Sequence, residues 1–184
     1  MRVHRFLMLG FFMMALGWTA QSQDATPAAQ RRQEIDKSAQ ATLDNLLQAN
    51  AGAKALYDKS VGYAVFNATK AGFFVSGGGG TGVVVDRETS KHTYMRMGLG
   101  GIGVGIGAQK YALIVLFETQ EHLKKFVAGG WDSSATVEAA AAKEGVAARA
   151  TFMNGAAFYQ ITDKGLMAHA DVTGTKFWQV DDLN

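Results

Sequence analysis

The chain has 184 residues, with 18 lysines and arginines against 16 aspartates and glutamates, a formal net charge of +2, and no cysteine. The lack of cysteine excludes disulfides, thiolate nucleophiles, cysteine metal sites and a lipid-modified cysteine anchor. Both surplus positive charges are Arg2 and Arg5; without them the charges balance, so net charge gives no general attraction for nucleic acid or a membrane.

Arg2 and Arg5 flank the start of "FLMLGFFMMALGW", Phe6 to Trp18. This apolar run fits the core of a secretory signal and is shorter than the roughly 20 residues of a membrane-spanning helix. Residues 1–22 are expected to be a signal peptide cleaved after Ser22, with Ala20 or Ala25 as alternative points. An uncleaved amphipathic anchor is the competing reading. The remaining chain suits one domain, expected in a periplasm or outside the cell.

The first helix is expected over about Ala28 to Ala49, with Thr26 and Pro27 at its start and Ile35, Ala39, Leu43, Leu46 and Leu47 on one face. Residues 23–42 form a polar lead and the beginning of this helix; the domain proper runs over 43–184. Asn50 to Gly52 closes the helix, and "AKALYDKS" forms a further short helical turn. Alternating or apolar runs then read as strands: "GYAVFNA", "GFFVSGG", "TGVVVDR", "HTYMRMG", "IGVGIGA" and "YALIVLF". "DRETSK" turns one pair into a hairpin. Thr119 caps a second helix, "QEHLKKFVA", whose lysines near the end match the helix dipole and which Gly129 and Gly130 stop. The alanine-rich run "SSATVEAAAAKEGVAARAT", residues 133–151, fits helix by composition and strand by alternation. "AAFYQIT" and "GLMAHADV" form a last hairpin about Asp163 and Lys164, and "KFWQV" ends the series. The fold class is α+β, a mostly antiparallel sheet with a few helices.

The glycines raise the question of a nucleotide. Gly98-x-Gly100-x-x-Gly103 and Gly77-x-Gly79-x-x-Gly82 match a dinucleotide fingerprint literally. Neither is followed by the helix whose N-terminus must face a pyrophosphate, so no nucleotide is expected. Parity offers another reading. Gly101, Gly103, Gly105 and Gly107 fall two apart and are expected to share one bare strand face, close-packed by another element or facing a ligand.

No catalytic constellation stands out. The histidines lack HxxxH or HExxH spacing, the serines lack a nucleophile elbow, and Asp163 and Asp171 lie at opposite ends of one expected strand. Neither an enzyme, a metal nor a cofactor is expected. Lys70, Lys110, Lys164 and Lys176 all fall at strand ends or turns, where several cations together can form a rim for phosphate headgroups.

Three blocks, "KSVGYAVFNATKAGFFVSGGGGTGVVVDR", "GVGIGAQKYALIVLFETQEHLKKFV" and "FYQITDKGLMAHADVTGTKFW", together resemble the SYLF lipid-binding family, from about Leu43 to Trp178. The resemblance implies a compact, barrel-like α+β domain with the alanine-rich run as strand. It also implies binding of anionic phospholipids, phosphoinositides in eukaryotic relatives. Asn67 stands where that family commonly has proline. An anionic membrane lipid surface is the expected partner; a protein partner, or self-association, through a sheet edge or the glycine face is the alternative.

Overall fold

A computed structural model describes residues 26–73, 75–102, 107–129, 151–162, 165–167 and 175–184. Its elements are α1 (Pro27–Ala49), α2 (Ala51–Lys59), β1 (Gly62–Phe73), β2 (Val75–Asp86), β3 (Lys91–Ile102), β4 (Gly107–Phe117), α3 (Gln120–Val127), β5 (Ala156–Thr162), β6 (Gly165–Met167) and β7 (Thr175–Gln179). A 3-10 turn, Asp181–Leu183, follows. The α+β class with an N-terminal helix holds.

The helices begin and end where side chains can replace missing backbone partners. The Thr26 hydroxyl accepts from the Ala29 N–H, with Pro27 in the first turn. Asn50 serves two helices: its N–H donates to the Leu46 carbonyl and its Oδ1 accepts from the Ala53 N–H at 2.8 Å. The expected stop at Asn50 is therefore also the start of α2. Thr119 caps α3, and Gly129, at φ +74, takes the left-handed position just past its end.

The seven strands among the described residues lie in the order β6-β5-β4-β1-β2-β3-β7, every neighbouring pair antiparallel. Among the described residues the sheet is not closed, which corrects the barrel-like expectation: β6 and β7 are its edges. Strand boundaries also differ from the sequence reading. "GFFVSGG" is split, because β1 and β2 pair continuously from Gly62 opposite Asp86 to Phe73 opposite Val75. "IGVGIGA" is split likewise between the end of β3 and the start of β4. Alternation of small and apolar residues reads the same whether a strand continues or reverses, so the pattern missed both reversals. All of the alanine-rich run but its last residue, Thr151, lies outside the described residues, as do the expected signal peptide and Asp163, Lys164, His169 and Asp171.

Strand alternation gives the sheet two apolar faces. Tyr63 and Val65 of β1, Val83 and Val85 of β2, Tyr94 of β3 and Ile114 and Leu116 of β4 share one face with Leu43 and Leu46 of α1. We call it the α1 face. Phe66, Val84, Met95, Leu113, Val115 and Phe117 share the other with Leu123 and Phe126 of α3. On this α3 face Phe126 meets Phe177 at a centroid separation of 4.8 Å and Phe117 at 5.1 Å, while Phe66 meets Phe177 at 5.1 Å. Tilted aromatic pairs of this kind add about 0.5–1.5 kcal/mol each beyond area burial. Gly62 makes the approach of α3 possible, since a Cβ there would strike Leu123 and the Val85 carbonyl.

Candidate functional site

Helix α1 covers only part of its face. It is held by buried Ala39, Leu43 and Leu46, and by polar contacts to the strands. The Ser38 hydroxyl accepts from Asn67 Nδ2 at 2.8 Å, Asp36 accepts from the Tyr94 hydroxyl at 2.8 Å, and His92 Nδ1 lies 3.1 Å from the other Asp36 oxygen. Asn67 thus ties β1 to α1. Burial pushes the Tyr94 phenol up to about 12, helped by its hydrogen bond to Asp36 and by that carboxylate's charge.

Beyond α1 none of the described helices covers the same face, and its floor is mostly backbone. In register across five strands lie Lys176 of β7, Gly98 of β3, Gly79 of β2, Thr69 of β1 and Lys110 of β4. The two lysines end a row of four strand spacings, roughly 19 Å at about 4.8 Å each. The parallel row nearer α1 runs Trp178, Arg96, Thr81, Asn67 and Ala112. Gly77 and Gly100 pair on the far side. Arg96, Lys110 and Lys176 are exposed, and none forms an ion pair among the described residues. Trp178 is 46% exposed, the one exposed large hydrophobic side chain among the described residues. Its ring leans over Gly98, where a Cβ would lie 3.0 Å from it, so the indole shields a backbone that has no side chain of its own. Two depressions flank Asn67, one of about 360 Å³ that includes Thr69, Gly79 and Lys110, the other of about 370 Å³ against α1. Glu34 of α1 lines the second.

The expected residues are therefore only partly brought together. Lys110 and Lys176 share the open face. Lys70 alternates with Phe66 and Ala68 and so lies on the α3 face, apart from them. Lys164 lies outside the described residues. The glycine reading is corrected: Gly101 belongs to β3 and Gly107 to β4, so they cannot form one continuous strand face, and Gly103 and Gly105 lie outside the described residues. The bare floor is made instead by Gly77, Gly79, Gly98 and Gly100. Arg96 and Trp178 were missed, although each had a signal. Arg96 sits between Met95 and Met97, and Trp178 follows Phe177, so alternation alone puts both opposite the apolar core.

Among the described residues no group of three or more histidines and acids could hold a metal ion. No described helix is long and apolar enough to cross a membrane. What the open face offers is cationic hydrogen-bond donors around accessible backbone.

The family profile described as "Ysc84: Las17-binding protein actin regulator" matches residues 98–184, which contain Arg96's strand partner Trp178 and both Lys110 and Lys176. Residues 98–184 of this chain match the Ysc84 (SYLF) family. It is also 38% identical over 156 residues to "Beta cell expansion factor A" of Aeromonas veronii, a match covering 85% of this chain and 60% of the relative. The chain thus spans less than two thirds of that relative's length. The SYLF resemblance read from the sequence is borne out.

Proposed function

We propose that this protein is a non-enzymatic binder of anionic phospholipid headgroups in a bacterial envelope, docking through the open half of the α1 face. The family match supports binding to a lipid or to an actin-related partner. The observation that favours lipid is the convergence of Arg96, Lys110 and Lys176 on a floor without side chains. A floor of glycine lets a phosphate approach main-chain groups closely, and the cations supply charge-assisted bonds. Trp178 suits the membrane interface, where one end of an indole is apolar and the other wet. Cleavage of residues 1–22 as a signal peptide would deliver the domain to the envelope.

Each basic residue near an anionic surface contributes about 1 kcal/mol, so three are worth roughly a hundredfold in affinity. Flotation of the purified protein with vesicles of phosphatidylglycerol or cardiolipin, at low and high salt, is the test. Binding should appear at low salt and fade at high salt. Arg96→Ala, Lys110→Ala and Lys176→Ala together should abolish it, while Lys70→Ala on the opposite face should leave it nearly intact. Binding that persists in the folded triple variant would sink this reading. A protein partner is the second reading, supported by the family description, and would bind at a sheet edge with little salt dependence.

A further inference from the structure

The α3 face holds a second cavity, distinct from the open face, of about 250 Å³ between α3 and the strands β2, β3 and β7. Its floor is apolar, formed by Val84 of β2 with Leu123 and Val127 of α3. Its charges come from Lys91 and Lys124, both exposed and neither ion-paired among the described residues. Thr93, 6% exposed, lines it directly opposite Val84, and its hydroxyl makes no hydrogen bond among the described residues. The acid in the wall, Asp86, is already engaged. It accepts from the Glu88 N–H at 2.9 Å, the Thr89 N–H at 3.3 Å and Gln120 Nε2 at 3.0 Å. Burial alone would raise the Asp86 carboxyl, but these hydrogen bonds outweigh it and hold the group below its usual value.

From this arrangement we infer that the cavity is a binding site for a medium-chain monocarboxylate, its tail on Val84, Leu123 and Val127 and its head between Lys91, Lys124 and the Thr93 hydroxyl. Two lysines and one aspartate leave a single positive charge, which matches a monoanion better than a phosphate dianion. The volume holds roughly eight non-hydrogen atoms at the ~30 Å³ each water occupies in the liquid, enough for the eight carbons of octanoate with its two carboxylate oxygens at the lysine-lined mouth. An apolar body fixed by a few convergent polar groups is the usual make-up of a small-molecule pocket.

The test is a titration of the purified protein with sodium octanoate below its micellar concentration, followed by backbone amide NMR shifts, beside 1-octanol and sodium acetate. Octanoate should move the amides of Thr93, Leu123 and Val127, and should bind more tightly than octanol or acetate. Lys91→Ala with Lys124→Ala should weaken octanoate about tenfold or more. Both lysines are exposed, so the double variant should fold. Lys110→Ala with Lys176→Ala should leave the octanoate affinity unchanged, which separates this site from the headgroup face. Octanol binding as tightly as octanoate, an unchanged affinity in the Lys91/Lys124 variant, or an absence of shifts at those amides would overturn the proposal.

Discussion

The glycine run of β2 has two sides, and they serve opposite purposes. On the α3 face, Gly78, Gly80 and Gly82 lie opposite Lys70, Ala68 and Phe66 of β1. A Cβ at any of the three would strike a main-chain carbonyl of β1, that of Thr69, Asn67 or Val65 respectively. On the α1 face, a Cβ at Gly77 would come no nearer than 4.0 Å to anything, and at Gly100 it would meet nothing within 4 Å. Gly79 is intermediate, with the Met97 carbonyl at 2.9 Å. One set of glycines is required by close approach of strands; the other leaves a surface bare. Adjacent residues of one strand thus build the fold on one side and the candidate site on the other.

The most demanding check of this contrast is substitution by alanine. Gly82→Ala must displace β1 backbone as well as the Phe66 ring, and should cost about 1–3 kcal/mol, the usual scale of overpacking. Gly80→Ala should behave similarly. Gly100→Ala, with free space around it, should stay within about 0.5 kcal/mol of the parent or gain slightly from a stiffer unfolded chain. Urea unfolding of the three variants side by side reads the difference. Equal losses at Gly82 and Gly100 would mean the two sides are not distinct.

The sequence carried much of the fold because periodicity reports burial. α1 and α3 were legible from their caps, and β4 and β5 from continuous or alternating apolar runs. The open sheet and the two strand reversals were not, because glycine has no side chain with which to mark a face. For the same reason the dinucleotide-like spacing of Gly98, Gly100 and Gly103 had to be rejected by context rather than by residue type. The site was half legible. Lys110 and Lys176 were named, but their common face depends on register across five strands, which no local pattern specifies. Lys70 looked equivalent in sequence and falls on the other side by parity.

A second check acts on function with little effect on stability. Gly77→Glu adds a negative charge to the open floor at a position where a Cβ meets nothing nearer than 4.0 Å, so vesicle binding should fall severalfold at low salt while the unfolding midpoint hardly moves. The effect should disappear at high salt, where screening removes the repulsion. A loss of binding that is independent of salt would argue that the floor is used for shape rather than charge.

The covered half of the α1 face offers the smallest and most specific check, through pH. Tyr63 and Tyr94 both lie under or beside α1, and both phenols are pushed up to about 12. For Tyr63 burial is the main cause, followed by Tyr57 and Asp36; for Tyr94 burial leads, followed by the hydrogen bond to Asp36. An unfolded tyrosine ionises near 10, whereas the folded protein keeps these protons to about 12. Between those values the unfolded chain binds fewer protons than the native one, so stability falls as pH rises. Their contribution is therefore intact below pH 10 and lost progressively toward pH 12. Tyr94→Phe removes one of these titrations and should make the decline shallower, while leaving a loss of about 0.5–1.5 kcal/mol at neutral pH from the missing bond to Asp36. Because the open half carries neither tyrosine, alkaline loosening should begin where α1 meets β3. Hydrogen exchange across that pH range should show the α1 amides losing protection before those of the β1–β2 pairing.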